Sequence, residues 1–233
     1  MDSNLEKYHP DGIIFHGNLG KPIRAITRNQ KELVSLVHAN DMVFAVGPAG
    51  TGKTYTSIAL AVKFLKEKRV KRIILTRPAV EAGENLGFLP GDLKEKLDPY
   101  MQPLYDALLD MIPREKLDYY LDKNIVEIAP LAFMRGRTLN DAFVILDEAQ
   151  NTTHSQMKMF LTRMGITSKF IITGDPGQMD LLSSNSSGLK EALTLFKAIE
   201  GIGFVYLDGT DIIRHPVVRR IVRVYESLSY KKK

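Results

Sequence analysis

The chain has 233 residues, 25% of them charged, and a formal net charge of +5, a size suited to one large α/β domain with small additions. It contains no cysteine, which excludes a disulfide framework and thiolate zinc sites and suits a reducing compartment. The polar start (Met1 to Lys7) is not a secretory signal, and no apolar run approaches the roughly 18–20 residues of a membrane span, so a cytoplasmic protein is expected. Mild basicity alone says little about nucleic acid.

Residues 1–29 read as a lead-in, with short strands at Ile13 to Phe15 and Arg24 to Thr27 around the turn-rich stretch Gly17 to Pro22. A helix follows, capped by Thr27 or Asn29, with Leu33, Val34, Leu36 and Val37 at helical spacing. Gln30 lies in its first turn and has two readings: an exposed polar residue, or an amide that pairs with adenine. Met42 to Val46 is then a buried parallel strand that breaks into a glycine-rich loop and resumes as a helix from Lys53 to about Lys68. Gly47-x4-Gly52-Lys53-Thr54 has P-loop spacing in the strand-then-helix context that motif requires. The segment Gly47, Pro48, Ala49, Gly50, Thr51, Gly52, Lys53, Thr54 and Tyr55 is therefore expected to bind ATP, its N–H groups and helix N-terminus facing the phosphates. Lys53 is expected to reach the β- and γ-phosphates, and Thr54 to complete the shell of Mg²⁺.

Arg72 to Thr76 reads as the next strand, and Thr76-Arg77-Pro78 places a hydroxyl and an arginine at its carboxyl end, where open α/β sheets keep their ligands. Residues 79–124 exceed an ordinary crossover and read as a helical insertion, with helices near 92–111 and 114–122. Phe88, Tyr100 and Tyr105 either stack on unpaired bases, with Lys94 and Lys96 on phosphates, or fill a helix–helix interface. After a short strand at Ile125 to Ile128, the apolar run from Ala142 ends in Asp147-Glu148. Strand alternation points these two carboxylates apart, so Asp147 is assigned to the metal and Glu148 to polarising the attacking water. A helix at about 154–164 and a strand from Lys169 lead to Gln178, placed to sense the γ-phosphate. A helix at 189–199, a strand at 204–207 and a C-terminal helix at about 216–228 complete an α/β fold. Every strand is expected to join one mostly parallel sheet. The basic C-terminus, with Arg214, Arg219, Arg220, Arg223 and a tail at 229–233, is either a phosphate-backbone contact or a solvated face.

Taken together, the P-loop, Thr76-Arg77-Pro78, Asp147-Glu148-Ala149-Gln150 and Gly174-Asp175-Pro176-x-Gln178 resemble the first RecA-like motor domain of superfamily 1 helicases. The chain is more closely similar to the PhoH-like ATPases, through Thr76 to Glu84, Leu86 to Leu93, Pro99-Tyr100, Arg135 to Thr138 and Ile213 to Pro216, and the resemblance covers about residues 30–225. It implies a single RecA-like P-loop NTPase domain over 30–228, hydrolysis of ATP with Mg²⁺, and coupling to RNA or single-stranded nucleic acid. It also strengthens the adenine reading of Gln30. Unlike a superfamily 1 helicase, the sequence holds no second motor domain to supply an arginine to the transition state, a loss worth on the order of 10³–10⁵ in rate. A homo-oligomer, pictured as a hexameric ring, would supply it in trans from Arg214 or, second, Arg137. The competing readings are an ATP-gated RNA-binding module and a small-molecule phosphotransferase.

Overall fold

The computed structural model describes residues 11–78, 93–178 and 187–213, with the isolated positions 217 and 221. Strands β1 (Ile13–His16) and β2 (Pro22–Arg24) come first, followed by α1 (Arg28–Ala39), β3 (Met42–Val46), α2 (Lys53–Lys66) and β4 (Arg72–Arg77). Helices α3 (Leu93–Met111) and α4 (Arg114–Asp122) precede β5 (Val126–Pro130) and β6 (Ala142–Leu146). The last elements are α5 (His154–Leu161), β7 (Lys169–Gly174), α6 (Gly188–Leu195) and β8 (Ile202–Tyr206).

The apolar runs β3 to β8 form a six-stranded sheet in the spatial order β5-β4-β6-β7-β3-β8, every pairing parallel. Parallel sheets are covered on both faces, which is why β3 and β6 are buried at every residue. Alternation sends Val43, Ala45, Ile73, Leu75 and Ile145 to one core with α1 to α4. Phe44, Val46, Ile74, Val144 and Ile172 go to the other, with α5 and α6. All six carboxyl ends consequently meet at one edge, where the chemistry-bearing loops emerge.

Several expectations are corrected. β1 and β2 do not join the main sheet; they pair antiparallel as a separate two-stranded hairpin that buries Ile14 and Ile23 in the α2-side core. The second of them runs from Pro22 to Arg24, because Pro22 can begin a strand without an N–H while Thr27 is drawn into the start of α1 as its cap. The insertion helices lie in the same layer as α2, with Met101, Leu104, Leu108 and Leu117 in its core. Tyr105 packs against that core, which fits the interface reading. Phe88 and the side chains of Lys94 and Lys96 are outside the described residues. Helix α5 stops at Leu161, short of 164, because Met164 bridges Leu139 and Gly165 donates to the Leu139 carbonyl at 3.2 Å. Apart from positions 217 and 221, the expected C-terminal helix and basic tail lie outside the described residues. Among the described residues no helix is long and apolar enough to cross a membrane.

Candidate nucleotide and metal site

Gly47 leaves β3 so close to the chain after β8 that a Cβ there would sit 2.2 Å from the Leu207 carbonyl oxygen, so any side chain forces the two segments to shift. Gly50 and Gly52 take left-handed φ values of 83° and 80°, and Gly52 caps α2. Lys53 opens the helix with its ammonium turned back into the loop, donating to the Gly47 and Pro48 carbonyls at 2.6 and 2.7 Å. It is buried, and desolvation lowers its pKa, while Asp175, Asp147 and Glu148 pull it upward. Together Ala49, Gly50, Gly52 to Tyr55, the strand-end carboxylates and Gln178 line a cleft of about 270 Å³. A larger cleft of about 350 Å³ between α5 and α6 is apolar and contains none of these residues.

The strand register places three polar residues side by side. Leu146 pairs with Thr76 on β4 and Ile172 on β7, so the following residue, Asp147, lies between Arg77 and Thr173. Asp147 is buried, and its Oδ1 accepts hydroxyl protons from Thr54, at 2.7 Å, and from Thr173. Its Oδ2 accepts from Arg77 Nε and Nη2 at 2.8 and 2.6 Å. Arg77 Nη1 continues to the Tyr100 carbonyl on α3 at 2.7 Å.

Glu148 and Asp147 line the same cleft with different hydrogen-bond partners, and strand alternation does not set them apart. β6 ends at Leu146, and Glu148 turns the chain with a left-handed φ of 55°. That turn exposes its carboxylate to the cleft, where Gln150 Nε2 donates to it at 2.6 Å. The other end of the buried Gln150 amide accepts the Asp175 N–H at 3.0 Å, so one side chain bridges Glu148 and the loop after β7. Gln178 stands exposed at the cleft rim.

Gln30 is buried, so the exposed-residue reading is wrong. Its Oε1 accepts the Ile26 N–H at 2.8 Å and the Thr27 N–H at 3.4 Å, and its Nε2 donates to the Thr51 carbonyl of the P-loop at 2.9 Å. Thr27 itself donates to Asp211 of the segment after β8. Tyr55 donates to Asp110 of α3 at 2.7 Å, and burial, then this bond, raises its pKa. Arg137 forms a two-pronged ion pair with Glu127 at 2.6 and 2.7 Å, which raises its pKa. Arg214 lies outside the described residues.

A divalent cation fits this donor set. Thr54 and Asp147 offer hard oxygens in mutual contact at the P-loop. No group of three or more His, Cys, Asp or Glu suited to a metal occurs among the described residues. Two protein oxygens completed by phosphates is a common way to hold Mg²⁺. Sequence reasoning gave no role to Gln150, Thr173 or the Arg77–Asp147 pair. The sequence placed Arg77 at a strand's carboxyl end, but that it and Thr173 stand at the ends of the strands flanking β6 is set by long-range pairing.

Fold and site together define a P-loop NTPase of the RecA-like kind. The sequence profile described as "PhoH-like protein" matches residues 22–226, and the chain belongs to that family. It is 58% identical over 207 residues to "PhoH-like protein" of Bacillus subtilis (strain 168), covering 89% of this chain and 65% of that protein. It is 45% identical over 206 residues to "Protein PhoH" of Escherichia coli (strain K12), covering 88% and 58%. The chain thus spans about three fifths of the length of these relatives. Among solved structures it is similar to the crystal structure of Pif1 helicase from Candida albicans, with a TM-score of 0.47 and 14% identity over 88% of this chain and 44% of that one.

Proposed function

We propose that the chain is a magnesium-dependent ATPase that couples hydrolysis to remodelling of RNA or another single-stranded nucleic acid, as a ring-like homo-oligomer in the cytoplasm. The observation that carries the ATPase reading is the division of labour between adjacent carboxylates: Asp147 is buried against Thr54, while Glu148 faces the cleft on the Gln150 amide. On this reading Lys53 exchanges its loop carbonyls for phosphate oxygens, and Thr54 and Asp147 hold the cation. Magnesium, when bound, neutralises charge on the phosphates. Glu148 accepts a proton from the attacking water, and Gln178 at the rim senses the γ-phosphate. Gln30 braces the P-loop, and contacts adenine only by exchanging the bonds it now makes.

The nucleic-acid part rests on the motif order shared with superfamily 1 motor domains and on the family. Arg137 is already paired with Glu127, so Arg214 is the first arginine to test for action in trans. Arg214→Ala should lower turnover per site in the assembled protein; full activity removes that assignment. The coupling is tested by steady-state phosphate release from ATP with and without single-stranded RNA. Turnover should rise sharply with RNA. Turnover unchanged at saturating RNA favours an ATP-gated RNA-binding module instead.

A further inference from the structure

We infer that Arg77 is a positioning residue that links the metal carboxylate to helix α3, so that filling the metal site releases the Tyr100 end of α3 while its Asp110 end stays fixed. The inference rests on the assignment of Asp147 to magnesium made above. One guanidinium joins three elements: from β4 it donates twice to Asp147 Oδ2 beyond β6 and once to the Tyr100 carbonyl of α3. Both ionic side chains are largely withdrawn from water, with 15% and 3% exposure. Asp147 Oδ1 meanwhile accepts from Thr54 and Thr173, so two donors occupy each carboxylate oxygen and its acceptor capacity is filled.

A cation that draws on Asp147 must displace one of these donors. The hydroxyls are neutral and Thr54 can turn a lone pair toward the ion. Arg77 has no lone pair to offer, and its charge repels a divalent cation at short range in a partly dehydrated site. Arg77 is therefore the partner that leaves, and the Tyr100 bond leaves with it.

Helix α3 is built unevenly enough to respond. Pro99 and Pro103 each lack the N–H of an intrahelical bond, and they flank the residue Arg77 holds. From Met101 onward the helix is anchored: Met101, Leu104 and Leu108 are buried, and Asp110 accepts from Tyr55 at 2.7 Å and from Lys21 at 2.7 and 2.8 Å. Tyr100 and Asp110 are about 15 Å apart along the axis at 1.5 Å per residue. The helix thus has a fixed end on the P-loop helix and a releasable end on the metal carboxylate.

The chain has no cysteine, so two can be introduced and labelled cleanly: Gln102→Cys on α3 and Lys190→Cys on α6, both at positions outside the cleft lining. The distance between spin labels is measured by pulsed electron resonance with a non-hydrolysable ATP analogue, first in EDTA and then with Mg²⁺, binding being followed separately with a fluorescent analogue. Magnesium should move the distance by about 1–2 Å or more, the scale of helix shifts in such switches. Arg77→Met should show the shifted distance already in EDTA. Arg77→Lys, which keeps the charge without the planar fork, should lie between and guards against a folding defect in the first variant. An unchanged distance with magnesium and nucleotide bound overturns the inference. So does an Arg77→Met distance equal to the parent value in EDTA. Failure of magnesium and nucleotide to bind at all contradicts the ATPase reading instead, and the Arg77→Met distance then still decides whether Arg77 holds α3.

Discussion

Replacing Gln30 by alanine separates two roles for one residue. Its carbonyl oxygen closes the capping box of α1 on the Ile26 and Thr27 N–H groups, and loss of such a cap costs about 1 kcal/mol. Its amide N–H holds the carbonyl of Thr51, a fully buried residue, and stranding that acceptor costs about 1–3 kcal/mol. The sum is about 2–4 kcal/mol. In a domain of this size each kcal/mol lowers the melting temperature by about 2–4 °C, so Gln30→Ala should melt about 4–16 °C below the parent without nucleotide. Thermal unfolding followed by fluorescence, with no ligand present, is the assay. If Gln30 acts only on adenine, the ligand-free melting temperature will match the parent within about 2 °C while nucleotide affinity falls. That result would refute the bracing argument.

Three further predictions come from single positions. Gly47→Ala would press a Cβ against the Leu207 carbonyl, and should lower the unfolding free energy by about 1–3 kcal/mol along with nucleotide affinity; parent-like stability and affinity would show that the two segments can part. The Thr76 hydroxyl is buried with no hydrogen-bond partner among the described residues, so Thr76→Val should leave stability unchanged or raise it, and a loss above about 1 kcal/mol in urea unfolding would expose a partner. His38 lies against Phe64 at 5.2 Å between ring centroids, and burial, then Arg69, Lys63 and Lys169, lower its pKa from 6.5 to about 4. The unfolded chain therefore takes up a proton near pH 6.5 that the fold resists until about pH 4, so this stabilisation is full above 6.5 and is lost as pH falls toward 4. The ring is only partly buried, so the loss should be about 1–2 kcal/mol after solvent screening, and His38→Gln should flatten that part of the slope in denaturant midpoints taken at several pH values. Equal slopes would contradict it.

The main sheet was legible because parallel strands buried on both faces appear as apolar runs, and β3, β4, β6 and β7 were found with their carboxyl-end residues in the right order. The P-loop was legible for a different reason: few other uses put glycines, lysine and threonine at that spacing between a strand and a helix. What stayed hidden depends on register. That Arg77 and Thr173 flank Asp147 follows only once β4, β6 and β7 are known to be neighbours, a long-range pairing absent from any local pattern. The hairpin β1–β2 was assigned to the wrong sheet because short strands carry no address in their own composition. Gln30 misled because a first-turn glutamine is ordinarily exposed, and only the approach of the P-loop buries it. Strand alternation was expected to set Asp147 apart from Glu148, yet the strand ends at Leu146 and Glu148 sits in a left-handed turn with no glycine to signal it.

The central claim is that Glu148 activates water for ATP hydrolysis while Asp147 and the P-loop hold the nucleotide. The most direct measurement is steady-state phosphate release from magnesium and ATP by the parent and by Glu148→Gln, with nucleotide affinity measured on both. The account predicts near-equal affinity and a loss of turnover on the order of 10²–10⁴ in the variant, the usual contribution of a general base. Equal turnover in parent and variant, with ATP bound tightly by both, would contradict it.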